Sequence, residues 1–183
     1  TEKNTKDKIA EALDGILFID EAYQLTQVKS ENDYGKRAAE VLLAQMDDYR
    51  HRLCVIVAGY PEEMESFISS NPGFHSRFSN TILFEDYSAE ELKEIATRSL
   101  AERGFVPTQE ALVALCACLD GWERRRGSRD FGNARDARKL VDVIESRHAQ
   151  RIAKRLTGDP ATQPGDEELS AVLEEDIPVA YVP

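Results

Sequence analysis

The sequence has few of the residues from which metal sites and disulfide frameworks are built. It contains three cysteines and three histidines in 183 residues. Cys54, Cys116 and Cys118 have neither the spacing of a zinc site nor that of a redox pair, and the histidines form no cluster along the chain. Because all three cysteines fall in apolar stretches, we expect buried thiols in a reducing compartment.

Basic residues and long hydrophobic runs are also scarce. The chain has 23 Lys and Arg against 34 Asp and Glu, for a net charge of −11. Phosphate backbones are bound by basic surfaces, so this balance argues against nucleic acid as a partner. No apolar run approaches the about 18 residues of a membrane span, and residues 1–12 are polar, unlike a signal peptide. We therefore expect a cytoplasmic protein without a membrane span.

Residues 15–22, Gly-Ile-Leu-Phe-Ile-Asp-Glu-Ala, combine an unbroken apolar run with two adjacent carboxylates. The run predicts a strand buried on both faces, as in a parallel sheet covered by helices. Ligands of such sheets bind beyond the carboxyl ends of the strands, where Asp20 and Glu21 stand. One carboxylate could hold Mg²⁺ and the other orient an attacking water, or the pair could simply cap the next helix. This stretch alone leaves both interpretations open.

The segment 1–86 as a whole has the pattern of an α/β domain. After a polar loop over 26–34, residues 35–49 predict an amphipathic helix, and the apolar residues 53–59 predict a second strand parallel to the first. Tyr60 and Pro61 end that strand on the same edge as Asp20, and Pro61 opens another helix. The apolar residues 81–84 predict a third strand.

Beyond residue 86 the pattern predicts helices. Ser88 followed by Glu91 is a capping box, Thr108 opens a second helix, and a long helix is expected from 131 to about 155. We interpret 87–156 as one all-helical region. Residues 157–183 are acidic and contain prolines, which predicts a tail or linker, although its apolar pieces at 169–172 and 177–178 are candidates for docking back.

Five segments, in this order and spacing, resemble the AAA+ ATPases. They are GILFIDEAYQL at 15–25, DYGKRAAEVLLAQMDDYR at 33–50, VIVAGY at 55–60, NPGFHSRF at 71–78 and GNARDARKL at 132–140. More narrowly, they are similar to the group that contains CbbX (red-type Rubisco activase), stage V sporulation protein K and the ATPase of type VII secretion. The resemblance covers about residues 5–156. It implies the C-terminal part of a P-loop AAA+ parallel-sheet domain, with three strands present, followed by an all-helical lid.

The resemblance implies roles for the acid pair and for one arginine. Asp20 would help to hold Mg²⁺, and Glu21 would polarise the hydrolytic water. Arg77 would be an arginine finger that reaches into the neighbouring subunit's site and stabilises charge on the transferring phosphoryl group. The alternative for Arg77 is a surface arginine that follows a turn.

Two further positions correspond to the nucleotide sensors of the family, and only the second departs from the family's residue types. Arg135 corresponds to the sensor-2 arginine of the lid, which would touch the nucleotide of its own subunit; Arg138, one turn later, is the alternative. Tyr60 stands near the sensor-1 position, where the family usually has Asn or Thr. Its role as a nucleotide contact is therefore open, and Tyr60 could simply cap the strand.

The sequence contains no G-x-x-x-x-G-K-[ST] loop, whose backbone amides cradle phosphates in P-loop proteins. We therefore expect a fragment that alone neither binds ATP tightly nor hydrolyses it. The resemblance implies that the full-length protein does both, with ATP and Mg²⁺ as cofactors, in a homo-oligomeric hexameric ring that remodels a protein substrate. The alternative is a non-catalytic interaction module derived from the same fold, while the charge disfavours a nucleic-acid helicase.

Overall fold

The computed structural model describes residues 2–26, 34–158 and 164–181. Two compact units divide the chain, Thr1–Leu83 and Phe84–Pro183. The helices and strands are α1 (Glu2–Glu11), β1 (Gly15–Ile19), α2 (Tyr34–Asp48), β2 (Leu53–Val57), α3 (Pro61–Ser69), α4 (Pro72–Arg77), α5 (Ala89–Glu102), β3 (Val106–Pro107), α6 (Gln109–Asp120), α7 (Ala134–Gly158), α8 (Asp166–Ser170) and β4 (Ala171–Val172), with 3₁₀ turns at Ala22–Leu25, Glu123–Arg125 and Glu174–Asp176. In this part of the chain no helix combines the length and apolarity that crossing a membrane requires.

The first unit contains the predicted strand–helix–strand arrangement. Strands β1 and β2 pair in parallel, in a register that runs from Gly15 opposite Leu53 to Ile19 opposite Val57. Helix α2 connects them and includes Tyr34, which we had assigned to the preceding loop. The rest of that loop, 27–33, lies outside the described residues. The parallel pairing confirms that the two strands end on the same edge of the sheet.

The predicted burial of both strand faces is wrong. Ile16 and Phe18 of β1 are 62% and 59% exposed, and Cys54 and Ile56 of β2 are exposed beside them. Successive side chains of a strand point to opposite faces, and the described helices cover only one face of this pair. The expectation of a buried Cys54 thiol is therefore also wrong.

The third predicted strand, at 81–84, is absent from the described structure. Ile82 and Phe84 are 79% and 88% exposed, and neither has ladder partners. A strand exists only where a neighbour accepts and donates its backbone hydrogen bonds. Strands β1 and β2 pair with one another, and no other described strand lies beside 81–84, so its apolar composition alone does not produce a strand.

The second unit is built on three long helices, α5, α6 and α7, around one hydrophobic core. The capping box is confirmed: the Ser88 Oγ accepts from the Glu91 N–H at 3.2 Å, and the Glu91 carboxylate accepts from the Ser88 N–H at 2.9 Å. Thr108 caps α6 by accepting from the Ala111 N–H at 3.2 Å. The buried members of the core are Leu92, Ala96, Leu100, Ala111, Leu115, Cys118, Leu119, Trp122, Phe131, Ala137, Leu140, Val141, Ile144, Val172 and Ile177.

Residues 165–181 are folded onto this core, contrary to the tail or linker expected over 157–183. We call them the C-terminal strap. Strand β4 pairs in parallel with β3, and Val172 and Ile177 are buried. The Trp122 indole N–H donates to the carbonyl of Tyr181 at 2.7 Å, near the end of the strap. Among the described residues of the second unit, β3 and β4 are the only strands.

The acidic composition of the strap is balanced by arginines on α7. Asp176 is almost fully buried and accepts from Arg151 Nε and Nη2 at 3.0 and 2.9 Å, while its other contact is the N–H of Leu173 at 2.9 Å. Arg155 pairs with Glu168 on α8. Buried carboxylates are tolerated only when they are paired, so these contacts explain why an acidic segment can pack rather than remain solvated.

A buried histidine gives the second unit an expected pH dependence. His148 on α7 packs edge-on against Phe105 at 5.0 Å, and among the described residues its Nε2 has no hydrogen-bond partner. Burial lowers the pKa of His148 and nearby Arg151 lowers it further, whereas Asp176 and Glu145 act in the opposite direction. A depressed histidine pKa means that the unfolded state binds the proton more tightly.

We therefore expect the unit to lose stability as the pH falls below the ordinary histidine value of 6.5, because protonation of His148 then favours unfolding. The fluorescence of Trp122, the chain's one tryptophan, can follow urea unfolding at several pH values. His148→Leu should flatten the pH dependence between about pH 7 and 5, whereas exposed His75→Leu should leave it unchanged. Equal slopes in all three proteins would contradict this assignment.

Candidate functional site

The two carboxylates predicted for the site lie at the carboxyl end of β1. The ladder continues one step beyond the strands, since the Ala58 N–H donates to the Ile19 carbonyl at 2.9 Å and the Ala22 N–H donates to the Ala58 carbonyl at 3.1 Å. These bonds hold the intervening turn beside the residues that follow β2. Asp20 and Glu21 form this turn, and both are exposed. We call them the acid turn.

Glu21 has an unusual backbone conformation for a residue with a side chain. Its φ and ψ of 49° and 43° lie in the left-handed helical region, which costs about 1–3 kcal/mol outside glycine. The Asp20 Oδ1 accepts from the Glu21 N–H at 3.0 Å, and the Gln24 amide donates to the Glu21 carboxylate. Strain of this kind concentrates at functional sites, where the position of a side chain outweighs its local cost.

A small hydrophobic cluster lies under the acid turn and fixes its position. Its buried members are Ala22, Tyr23, Ala39, Phe67 and Phe74. The first two belong to the 3₁₀ turn that follows the acid pair, while the others come from α2, α3 and α4. The acid turn is thus anchored by packing from three helices as well as by the strand ladder, which is the support that a positioned side chain requires.

Gly59 allows β2 to end close against this cluster. A Cβ at Gly59 would lie 2.8 Å from two ring carbons of Tyr23 and 2.9 Å from the Met64 sulfur. The Tyr23 ring is buried and cannot easily move away. The glycine is therefore needed for close approach of the chain to the turn that carries Glu21.

Gly59→Ala should destabilise the chain by about 1–3 kcal/mol, because the added methyl overpacks the Tyr23 ring. Chemical denaturation of the chain measures this loss. Gly15→Ala is the matched control in the same unit, since a Cβ there would lie 3.4 Å from the Ala12 carbonyl, an ordinary contact. Equal losses of stability in the two variants would show that the cluster accommodates the added methyl group without strain.

Tyr60 lies on the same edge of the sheet as the acid turn. It follows Gly59 directly and occupies the N-cap position of α3 with extended backbone, φ −66° and ψ 141°. Its side chain is 45% exposed. The structure thus brings the strand-end tyrosine and the acid pair to one edge, as the parallel register requires.

Arg77 is held by acceptors of its own unit. Its Nε and Nη2 donate to the two carboxylate oxygens of Asp47, with Nε–Oδ1 at 3.1 Å, and its Nη1 donates to the Gly73 carbonyl at 2.9 Å and to the Ser76 hydroxyl at 3.3 Å. The Arg77 side chain is 26% exposed. None of these partners belongs to the acid turn.

Arg77 and the acid turn share no hydrogen-bond partner among the described contacts. Asp47 lies in the last turn of α2, eight residues after Ala39, which packs in the cluster under the acid turn. Phe74, three residues before Arg77 on α4, is buried in the same cluster. The structure therefore brings Asp20, Glu21 and Tyr60 to one edge, while the described partners of Arg77 lie on α2 and α4.

Arg135 belongs to the second unit, where it lies exposed in the first turn of α7. Asn133, just before this helix, has a left-handed φ of 51° and links the helix to the start of the unit. Its Nδ2 donates to Asp86 Oδ1 at 2.6 Å, and its Oδ1 accepts from the Tyr87 N–H at 2.9 Å. Sequence reasoning assigned neither Asn133 nor Asp86 a role, although asparagine in the GNAR segment is a residue type that favours this conformation.

Hydrogen bonding also identifies Asp86 as an ionised anchor of α7. The Asn133 amide and the Gly127 N–H, which donates at 2.6 Å, hold the pKa of Asp86 below its usual value, with a further contribution from Arg126. The charged form is stabilised because all of these groups are donors or cations. Arg135 thus projects from a helix whose entry is fixed by this network.

The acid turn can hold magnesium only in a site where water and phosphates supply most of the ligands. Among the described residues no three His, Cys, Asp or Glu side chains come together as a metal cage. Asp20 uses one carboxylate oxygen for the Glu21 N–H and is exposed, so that its second oxygen can serve as a ligand. Magnesium is commonly held in this way by one or two carboxylates, with water and substrate phosphates as the other ligands.

Two family models match the chain. The model of the ATPase family associated with various cellular activities (AAA) matches residues 1–86, and the model of the AAA lid domain matches residues 88–182. The two matches together include the acid turn, Arg77 and Arg135.

Curated relatives extend the match along the chain. Protein CbbX of Cereibacter sphaeroides is 43% identical over 182 residues, which is 100% of this chain and 57% of the relative. A Protein CfxQ homolog of Galdieria sulphuraria is 43% identical over 152 residues, 83% of this chain and 49% of the relative. Protein CbxX (plasmid) of Cupriavidus necator is 38% identical over 177 residues, 97% of this chain and 54% of the relative. The chain spans about half the length of the curated relatives it matches.

These matches cover both structural units, and the residues of the acid turn lie where the first unit presents them at a strand end. The chain therefore belongs to the AAA family of ATPases, resembles CbbX within it, and contains part of the AAA domain together with the AAA lid domain.

Proposed function

We propose that the full-length protein hydrolyses ATP with Mg²⁺ and uses the energy to remodel a protein partner. The observation that carries this proposal is the acid turn: two exposed carboxylates follow a parallel strand, and Glu21 is held there in a strained conformation. Membership of the AAA family supports the same reaction. The loop that cradles phosphates is absent from these residues, so the proposal concerns the longer protein.

Asp20 is the residue of this chain that we assign to magnesium. Its Oδ1 accepts from the Glu21 N–H, which orients the carboxylate, and its second oxygen would hold the ion directly or through water. When bound, the ion would neutralise charge on the phosphates. Asp20 would therefore hold and orient the magnesium ion, and we assign it no part in proton transfer.

Glu21 is the residue that we assign to the attacking water. A carboxylate accepts a hydrogen bond from water and so polarises its oxygen toward the phosphorus. The Gln24 amide holds the Glu21 side chain at the edge of the turn, and the left-handed backbone fixes the direction in which it leaves the chain. A general base must lie within hydrogen-bond reach of the water before its pKa matters, and these two features fix the position of the Glu21 carboxylate.

Arg77 is assigned to the site of a neighbouring subunit. Its guanidinium is bound by Asp47, Gly73 and Ser76, and none of these acceptors belongs to its own acid turn. The family resemblance implies that this cation completes a site on another copy. We therefore propose a homo-oligomeric ring, a hexamer by family resemblance, in which each Arg77 stabilises charge on the neighbour's phosphoryl group.

Arg135 and Tyr60 are proposed as further contacts to the nucleotide. Arg135, exposed on the first turn of α7, would contact the phosphates of its own subunit as sensor 2. Tyr60 would contact the nucleotide from the strand end. The identity of the remodelled protein is left open among Rubisco, a secretion substrate and a sporulation factor, and the net charge of −11 argues against nucleic acid.

The proposal is tested by ATP turnover of the purified full-length protein over a range of protein and Mg²⁺ concentrations. Hydrolysis should require Mg²⁺ and should rise steeply with protein concentration, because each site needs two subunits. Absence of hydrolysis at concentrations where the protein is assembled would overturn the proposal. It would favour instead the non-catalytic interaction module.

A further inference from the structure

We propose that Asp47 is a positioning residue for Arg77: its carboxylate orients the guanidinium for the neighbouring subunit's site. This inference rests on the proposed function, since it takes Arg77 as the arginine finger. No family motif assigned a role to Asp47, which lies 30 residues before Arg77 in the sequence.

The guanidinium of Arg77 is held on three sides. Asp47 accepts from Nε and Nη2 in the two-pronged geometry that fixes the plane of an arginine. The Gly73 carbonyl and the Ser76 hydroxyl accept from Nη1. Arginine has five N–H donors, so these four bonds leave one Nη2 N–H for another partner.

Only a small part of this side chain faces solvent. Arg77 is 26% exposed, and its partner Asp47 is 63% exposed. Gly73 adds to the enclosure, because a Cβ there would lie 3.2 Å from Arg77 Nη1 and 3.2 Å from a Leu43 methyl. The remaining donor thus points from a guanidinium whose orientation is already set, which reduces the entropy lost when it meets a phosphate.

A carboxylate at the position of Asp47 is unfavourable unless it forms an ion pair such as this one. It lies in the last turn of α2, where unpaired carbonyls give the helix end a partial negative charge that repels carboxylates. Asp48 shares this location but accepts from the Gln45 amide at 2.9 Å within its own helix. The two aspartates are adjacent and chemically identical, and only Asp47 has a charged partner in another element among the described contacts.

The ion pair itself contributes little to stability, because pairs this exposed give about 0–1 kcal/mol. Its effect should therefore appear in turnover. Misplacement of a catalytic group by about 1 Å can cost up to about 10²-fold in rate. We expect Asp47→Asn to lower kcat of the assembled full-length protein about tenfold, because a neutral amide cannot accept from both prongs, and to leave ATP affinity unchanged.

The experiment compares five full-length proteins: wild type, Asp47→Asn, Asp48→Asn, Arg77→Ala and the double variant Asp47→Asn with Arg77→Ala. ATP turnover, equilibrium nucleotide binding and thermal unfolding are measured for each. Asp48→Asn should match wild type. The double variant should turn over ATP at the rate of Arg77→Ala alone, since Asp47 acts only through Arg77.

Each contrary outcome has a distinct meaning. If Asp47→Asn hydrolyses ATP as fast as Asp48→Asn while Arg77→Ala is inactive, the positioning role is overturned and the proposed function stands. If Asp47→Asn lowers turnover by the same factor with or without Arg77, Asp47 acts through the fold and the inference fails. If Arg77→Ala retains full turnover, the assignment of Arg77 itself fails, and the role of Asp47 fails with it.

Discussion

Arg77→Ala is expected to lower ATP turnover of the full-length protein by roughly 10³-fold or more while leaving nucleotide affinity within about twofold. The reason is geometric. The guanidinium of Arg77 is held by Asp47 and by acceptors on α4 rather than by its own acid turn, so we expect it to act on the neighbour's phosphoryl group and to add little to nucleotide affinity. Steady-state turnover and equilibrium binding of a fluorescent ATP analogue separate the two effects.

The matched control is Arg98→Ala, which removes an exposed arginine that pairs with Glu102 on the same helix. This variant should retain wild-type turnover. A parallel loss of binding and turnover in Arg77→Ala would place Arg77 in the site of its own subunit. That result would contradict the proposed shared site.

Glu21 gives the second large effect: two substitutions there should both lower turnover, and one of them should also raise the stability of the fold. Glu21→Gln should lower turnover at least about 10²-fold and trap bound ATP, because the amide polarises water poorly. Glu21→Gly should lose turnover as well, yet the fold should gain about 0.5–1 kcal/mol, because glycine accepts a φ of 49° without strain. Turnover of the full-length protein and denaturation of this chain are the measurements.

Glu11→Gln, at the end of α1, is the control for removal of an exposed carboxylate, and it should change neither ATP turnover nor stability. Unchanged hydrolysis in Glu21→Gln would remove Glu21 from the chemistry. A loss of stability in Glu21→Gly would show that the left-handed backbone at this position is not strained.

The local features of the fold could be predicted because they depend on neighbours in sequence. The apolar run that stops at Asp20, the proline that opens α3 and the Ser88 capping box are each set by residues within one or two turns. The parallel pairing of β1 and β2 followed from the helix between them. These elements place the acid turn and Tyr60 on one edge, so this part of the candidate site was predictable.

Burial and strand partners could not be predicted in this way, because they depend on what lies across the sheet. Ile16 and Ile82 have the composition of buried strand residues, yet one lies on an uncovered face and the other lies in no strand. A hydrophobic pattern specifies which residues could be buried, whereas neighbouring strands and helices decide whether they are.

The C-terminal strap shows that burial cannot be predicted from the charge of a segment either. Its acidic residues predicted a solvated segment, but Asp176 is buried because Arg151, 25 residues earlier on α7, donates to it. Asp47 and Arg77, 30 residues apart, form a similar pair. Long-range partners of this kind leave no mark in local sequence, and only the folded chain reveals them.

The central claim is that one site is built from Glu21 of one subunit and Arg77 of the next, and mixing inactive variants tests it most directly. Full-length Glu21→Gln and Arg77→Ala proteins are dissociated, combined in equal amounts and reassembled. Each variant supplies the residue that the other lacks, so random mixing should restore about a quarter of the wild-type sites and a matching turnover. Mixed assemblies that remain as inactive as either variant alone would contradict the claim.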